Sequence, residues 1–149
     1  MNAFLRNLQL DFIPKNVDLA LLLLRIALGA QMLIAHGWGK FATFSEKAAQ
    51  FPDPLGVGNA TSAALAVVGE VVCSALLILG LLTRPAAIGA AITMGVAFFM
   101  VHGGKLRGEG NGEMAFLYLI GFLAILIAGP GRYSIDAQLT RQPAAPSDK

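Results

Sequence analysis

The chain has 149 residues, of which 56% are hydrophobic and only 13% charged, with a net charge of +2, and its mean hydropathy is +0.66. Average soluble domains carry about 25% charged residues, so this composition excludes a disordered chain and an ordinary soluble enzyme. Basic residues form no run that would mark a nucleic-acid partner, and Cys73, the single cysteine, excludes a disulfide scaffold. What remains is a protein whose solvent is the lipid bilayer.

A bilayer core about 30 Å thick takes about 20 apolar residues of helix. Four stretches approach that length, at about 19–36, 62–82, 86–102 and 113–129. They are too continuously apolar for the in–out alternation of a barrel strand. The expected fold is an all-α membrane protein, a four-transmembrane-helix up-down bundle forming one domain over 1–137, with a disordered tail over 138–149. The first stretch, LALLLLRIALGAQMLIA, contains Arg25 and runs to His36. It is longer than a signal-peptide core, and no small-x-small cleavage pattern follows it. Loop one, from Gly37 to Asn59, holds Trp38 and Lys40, then Phe41, Phe44, Ala48 and Phe51 at helical spacing, which predicts a short interfacial helix.

The second stretch carries Glu70, Cys73 and Ser74 on one stripe. Thr83-Arg84-Pro85 is so short a link that the second and third helices must form an antiparallel hairpin, with Pro85 suited to the first helical turn. Ala86, Ala90 and Met94 then recur at intervals that let backbones approach closely in lipid. Loop three, His102 to Gly112, contains five glycines. Glu113 opens the fourth helix, and Gly129-Pro130-Gly131 ends it. With an even number of spans, Arg6, Lys15, Arg84, Arg132, Arg141 and Lys149 share one side, against Lys40, Lys47, Lys105 and Arg107 on the other. The positive-inside rule then places both termini in the cytoplasm.

Ionisable groups within a span are costly, and each is a functional candidate by default. Arg25 and Glu70 are the two deep ones, and an ion pair between them would fix how the first two helices dock. Arg25, Gly29, Met32 and His36 fall on one face of a regular helix, because eleven residues at 100° return to within about 20° of the start. His36, His102 and Glu113 meet at the end of the bundle opposite the termini. Four readings stay open for that end: polar residues at the membrane boundary, hydrogen bonds to the carbonyl of a quinone-like head group, a metal ion, or a haem held between His36 and His102. The spacing forms no compact ligand motif, so metal and haem are the less favoured cofactors. Cys73 reads as packing, since a thiol in an apolar helix is not activated. The glycines of loop three follow no strand, which fails the context of a dinucleotide site.

Taken together, LLLRIALGAQMLIAHGWGKF, the Gly69-Glu70 pair, LGLLTRPAAIGA, His102 before its glycines, NGE and GPGRYSIDA resemble the DoxX family over about 19–137. That resemblance implies a four-helix bacterial inner-membrane protein, named for a terminal-oxidase or thiosulfate:quinone oxidoreductase subunit. Arg25, His36, Trp38, Lys40, Glu70, Arg84, His102 and Glu113 carry over by motif position, without an agreed catalytic role. The chain has no second cysteine and no self-contained catalytic motif. The function expected is therefore an accessory, quinone-linked redox component of the membrane. Its polar pocket is expected in the outer half of the bundle, formed by Arg25, His36, Trp38, Lys40, Glu70, His102 and Glu113. The alternative is a non-catalytic structural or assembly subunit of a larger membrane complex or homo-oligomer. A proton-conducting or transport protein is a third reading, although four spans are few for a transporter and no pair of broken helices is evident.

Overall fold

A computed structural model describes Phe12 to Thr140, together with Leu8 and Leu10. Every regular element among the described residues is helical. The helices are α1 (Val17–Ala42), α2 (Phe44–Lys47), α3 (Asn59–Leu79), α4 (Thr83–Val101), α5 (Glu113–Ala128) and α6 (Ile135–Thr140). The long helices α1, α3, α4 and α5 form an antiparallel ring in which each packs on its chain neighbours and α5 closes back on α1. Three of them are long and apolar enough to cross a membrane, and α5 is a shorter apolar helix.

The distribution of side chains is that of a membrane bundle. The interior is built from small residues, Ala86, Ala87, Ala90 and Ala91, and from a few polar ones, Arg25, Ser74 and Thr83. Leu77, Phe122 and Ile125 complete that interior, while many large aliphatic groups point outward, with Ile127 80% exposed. In water that arrangement would leave too much apolar surface wet. In lipid, close backbone approach supplies the packing instead. Thus Gly29 of α1 lies against Ser74 and Ile78 of α3, and Gly69 of α3 lies against Thr93 of α4.

The first helix departs from its expected limits. It runs through His36 and on to Ala42, so Trp38, Lys40 and Phe41 lie in the span and not in loop one. The expected interfacial helix shrinks to α2 and a 3₁₀ turn, Ala48–Gln50. Loop one is ordered by Asp53, whose carboxylate accepts Ser62 Oγ at 2.6 Å and the backbone N–H groups of Val57 and Gly58 at 3.1 and 2.7 Å. The Ser62 hydroxyl, ahead of those N–H donors, holds this carboxyl below its usual range. Asp53 thereby folds Phe51, Pro52 and Pro54 over the start of α3. At the other end of the chain, Gln138, Leu139 and Thr140 continue α6 where the sequence suggested a tail. The rest of that tail and Arg6 lie outside the described residues.

Charge clamps the α3–α4 hairpin at the terminal end. Gly80 (φ 67°) closes α3 in a Schellman turn, with Leu81 N–H donating to Leu76 O at 3.0 Å and Gly80 N–H to Leu77 O at 3.2 Å. The Arg25 guanidinium, fully buried, donates to Leu77 O at 2.8 Å and to Tyr133 O at 3.0 Å. It is a cation on the carbonyl end of a helix, where the dipole favours it. Asp136 does the reverse for α4, its carboxylate accepting the N–H groups of Leu82 and Thr83 at 2.8 Å each. The expected Arg25–Glu70 ion pair is therefore not formed. Arg25 is spent on helix ends near the termini, about two turns along α3 from Glu70, and the opposite charge acting on it is Asp136.

Candidate functional site

Three of the four long helices contain a π-helical turn: Met32–Gly37 in α1, Val68–Val72 in α3 and Ala97–Val101 in α4. In each the closing N–H reaches five residues back, Trp38 to Leu33 O, Cys73 to Val68 O and His102 to Ala97 O. Such turns are rare and gather at functional sites, because the extra residue re-aims the side chains around it. Here they hold His36, Glu70 and the residue before His102, all in the loop half of the bundle.

The π turn in α1 changes which residues face α3. Met32 and Gly37, five apart, are both buried. A Cβ on Gly37 would meet the Glu70 carbonyl oxygen at 2.8 Å, so only glycine lets the two backbones come this close. One turn further, Lys40 Nζ reaches Glu70 Oε2 at 2.6 Å and also donates to His36 O at 3.3 Å. Glu70 is 6% exposed. The same shift turns His36 toward α5, where its ring meets Tyr118 edge-on at 5.5 Å.

Beside the Lys40–Glu70 pair, α3 and α4 part to leave a cavity of about 460 Å³, roofed by Phe51, Pro52, Pro54 and Leu55. Its walls are mostly apolar, with Leu65, Ile92, Val96 and Val101, and its polar residues are Lys40, Glu70, Ser62, Thr93 and His102. His102 is held from the loop side, its Nδ1 2.8 Å from Gly110 O, which makes Nδ1 the N–H donor and leaves Nε2 as an acceptor in the neutral ring. A second groove, on the other side of Lys40 and Phe51, is lined by His36, Thr43, Phe44 and Lys47.

Four of the seven expected pocket residues thus gather here, and they divide. Lys40, Glu70 and His102 line the cavity, whereas His36 lines the groove. The two histidines do not face a common space, which removes the geometry a shared haem requires. Arg25 belongs to the terminal clamp. Trp38 is 58% exposed on the outer surface of α1, stacked on Phe41, and lines neither space. Glu113 is exposed at the start of α5 and lines neither. Its N–H has no intrahelical acceptor and donates to Asn111 Oδ1 at 3.1 Å. No group of three potential metal ligands converges among the described residues. Sequence reasoning placed Phe51 on an interfacial helix and not over the cavity, and it missed Asp53 and Ser62, although an aspartate between two prolines and nine residues before a serine is a visible capping signal. It also missed Tyr118, a polar-tipped aromatic in an otherwise apolar span.

Residues 20–103, covering α1, α3 and α4, match the DoxX family. The chain belongs to the DoxX family. Among relatives, an uncharacterized protein of Haemophilus influenzae is 38% identical over 119 residues, 72% of this chain and 81% of the relative. An uncharacterized membrane protein of Mycobacterium tuberculosis is 37% identical over 116 residues, 64% of this chain and 71% of the relative. No solved structure matches this DoxX-family chain. The matched segment contains the three π turns and every polar residue lining the cavity and the groove.

Proposed function

We propose that this DoxX-family membrane protein holds a quinone-class ligand, an apolar tail with a carbonyl-bearing ring, in the α3–α4 cavity. The observation that carries this reading is the ion pair of half-buried Lys40 with buried Glu70 in the wall of a mostly apolar space. A buried ion pair adds little net stability, since desolvation offsets most of its attraction, and charges at membrane depth mark ligand and proton sites. The cavity volume lies within the range of small-molecule pockets. The apolar walls from Leu65 to Val101 suit the ring and tail. A third Lys40 N–H, beyond those given to Glu70 and His36 O, is suited to a ring carbonyl. Glu70 and His102 border the same space and suit proton exchange with the head group. The quinone itself would supply two-electron, two-proton chemistry.

Cys73 is buried and alone, so the residues of this chain bind and orient, and electron exchange falls to a partner protein. The accessory role, the bacterial inner membrane and the cytoplasmic termini are part of this proposal. The test is binding of a short-chain ubiquinone analogue to the purified protein in detergent, followed by native mass spectrometry and titration. Loss of a charge-assisted hydrogen bond is worth about 1.5–3 kcal/mol, so Lys40→Gln, which removes the donor to the ring carbonyl, is expected to weaken binding about tenfold or more. Retention at wild-type strength by Lys40→Gln overturns the proposal.

A further inference from the structure

The groove on the far side of Lys40 shares Lys40 and Phe51 with the cavity but differs from it in chemistry. It has a volume of about 460 Å³ and is lined by His36, Lys40, Thr43 and Lys47 among apolar Phe44 and Phe51, with no carboxylate in its wall. The nearest carboxylate across Lys40, Glu70, is occupied by that lysine. Groups that would repel an anion here, the carbonyls at the end of α1, are already engaged: Gly39 O accepts Thr43 N–H and Thr43 Oγ1, and His36 O accepts Lys40 Nζ. What faces the groove is therefore donors and positive charge above an apolar floor.

Its depth selects the source of the anion. At about 1.5 Å rise per residue, α1 is about 39 Å long, longer than the hydrocarbon core and close to the bilayer with its headgroups. The turn from Trp38 to Ala42 then lies at the boundary, and exposed Trp38 on its outer surface is placed as interfacial tryptophans are. Thr43 and Lys47 follow at headgroup level.

We propose that this groove is a binding site for the phosphate of an anionic phospholipid, with Lys47 as the phosphate donor and Phe44 and Phe51 against the glycerol and upper acyl chain. The site does not depend on what the α3–α4 cavity binds. The test reconstitutes the whole chain in vesicles of equal phosphatidylglycerol and phosphatidylcholine and counts retained lipids by native mass spectrometry. One lysine near an anionic surface is worth about fivefold in occupancy. Wild type is expected to retain phosphatidylglycerol in excess, Lys47→Gln to lower that excess about fivefold, and Lys47→Arg to restore it. Binding of the quinone analogue should be unchanged in Lys47→Gln, so failure of one site is read separately from failure of the other. Equal retention of the two lipids, or an excess indifferent to Lys47→Gln, overturns the proposal. Displacement of the bound lipid by millimolar inorganic phosphate overturns the lipid source and assigns the groove to a free anion.

Discussion

Two basic residues on one helix, Arg25 and Lys40, have different tasks because of what lies opposite them. Arg25 meets carbonyls at the end of α3, and a planar guanidinium can reach Leu77 O and Tyr133 O at once. Lysine, with one compact ammonium, cannot span both. Arg25→Lys, which keeps one of the two charge-assisted bonds, is therefore expected to destabilise the bundle by about 1.5–3 kcal/mol, and Arg25→Met, which loses both, by about 3–6 kcal/mol, read as a lower midpoint in SDS-induced unfolding. The choice between partners for Glu70 is tested by double-mutant cycles. Arg25 and Glu70 should couple by less than about 0.5 kcal/mol, as separated sites do. Lys40 and Glu70 should couple measurably, because removing one partner leaves the other charge buried. Gly80 belongs to the same clamp. Its φ of 67° and the contact a Cβ would make with Arg25 Nη1 mean that Gly80→Ala strains the turn and displaces the guanidinium together. Nothing in residue spacing could reveal this arrangement. Arg25 and Glu70 are both deep in sequence terms, and only the Schellman turn at Gly80 supplies carbonyls that a guanidinium prefers.

At the level of the helix, the apolar spans, the tightness of the α3–α4 hairpin and the small-residue stripe of α4 were legible, because apolar length and residue size act directly on a membrane bundle; the link itself is Gly80-Leu81-Leu82, and Thr83-Arg84-Pro85, expected as the loop, is the first turn of α4. The faces were legible only up to the first π turn. A regular 100° step carries the face of Arg25, Gly29 and Met32 on to His36. The extra residue between Met32 and Gly37 moves that face to Gly37 and Lys40 instead. Capping chemistry was hidden where it is remote: Asp136 is unremarkable in sequence and acquires its role from Leu82 and Thr83, far along the chain. The π turn gives its own prediction. Gly37→Ala places a methyl 2.8 Å from both Glu70 O and Val71 Cγ2, so α1 must move away from α3. Overpacking of this kind costs about 1–3 kcal/mol. The larger consequence is lengthening of the Lys40–Glu70 contact, seen as weakened binding of the quinone analogue while lipid retention at Lys47 persists.

Across the whole molecule, charge is sorted by end. The terminal end uses Arg25 and Asp136 to hold helix termini together, whereas the loop end places Lys40, Glu70, His102, His36 and Lys47 around two ligand-sized spaces. This division predicts how acid acts on the protein. Burial pushes the Asp136 carboxyl up, but the N–H donors of Thr83 and Leu82 and the charge of Arg25 outweigh it, and its pKa lies below the usual aspartate value. A carboxyl depressed in the folded state contributes stability that is fully present above its unfolded pKa, about 3.9. That contribution is lost as pH falls through the lower, folded value. Asp53, depressed by Ser62 and its backbone donors, follows the same rule at the loop end. Between about pH 5 and 8, then, neither carboxylate changes charge, and the α3–α4 clamp and the loop-one roof should hold. Below about pH 4 both caps weaken, and the unfolding midpoint in detergent should drop. Asp136→Asn removes one titrating cap and should flatten that acid limb, at a cost of about 1 kcal/mol at neutral pH for a weaker N-cap acceptor. If the acid limb is as steep in Asp136→Asn as in wild type, the hairpin is not held by this carboxylate. Because Leu82, the residue that Asp136 caps, sits at φ 48° in the left-handed region, its strain must be held by those same two bonds. Leu82→Gly in the Asp136→Asn background should therefore recover about 1 kcal/mol, the cost of a side chain in that conformation.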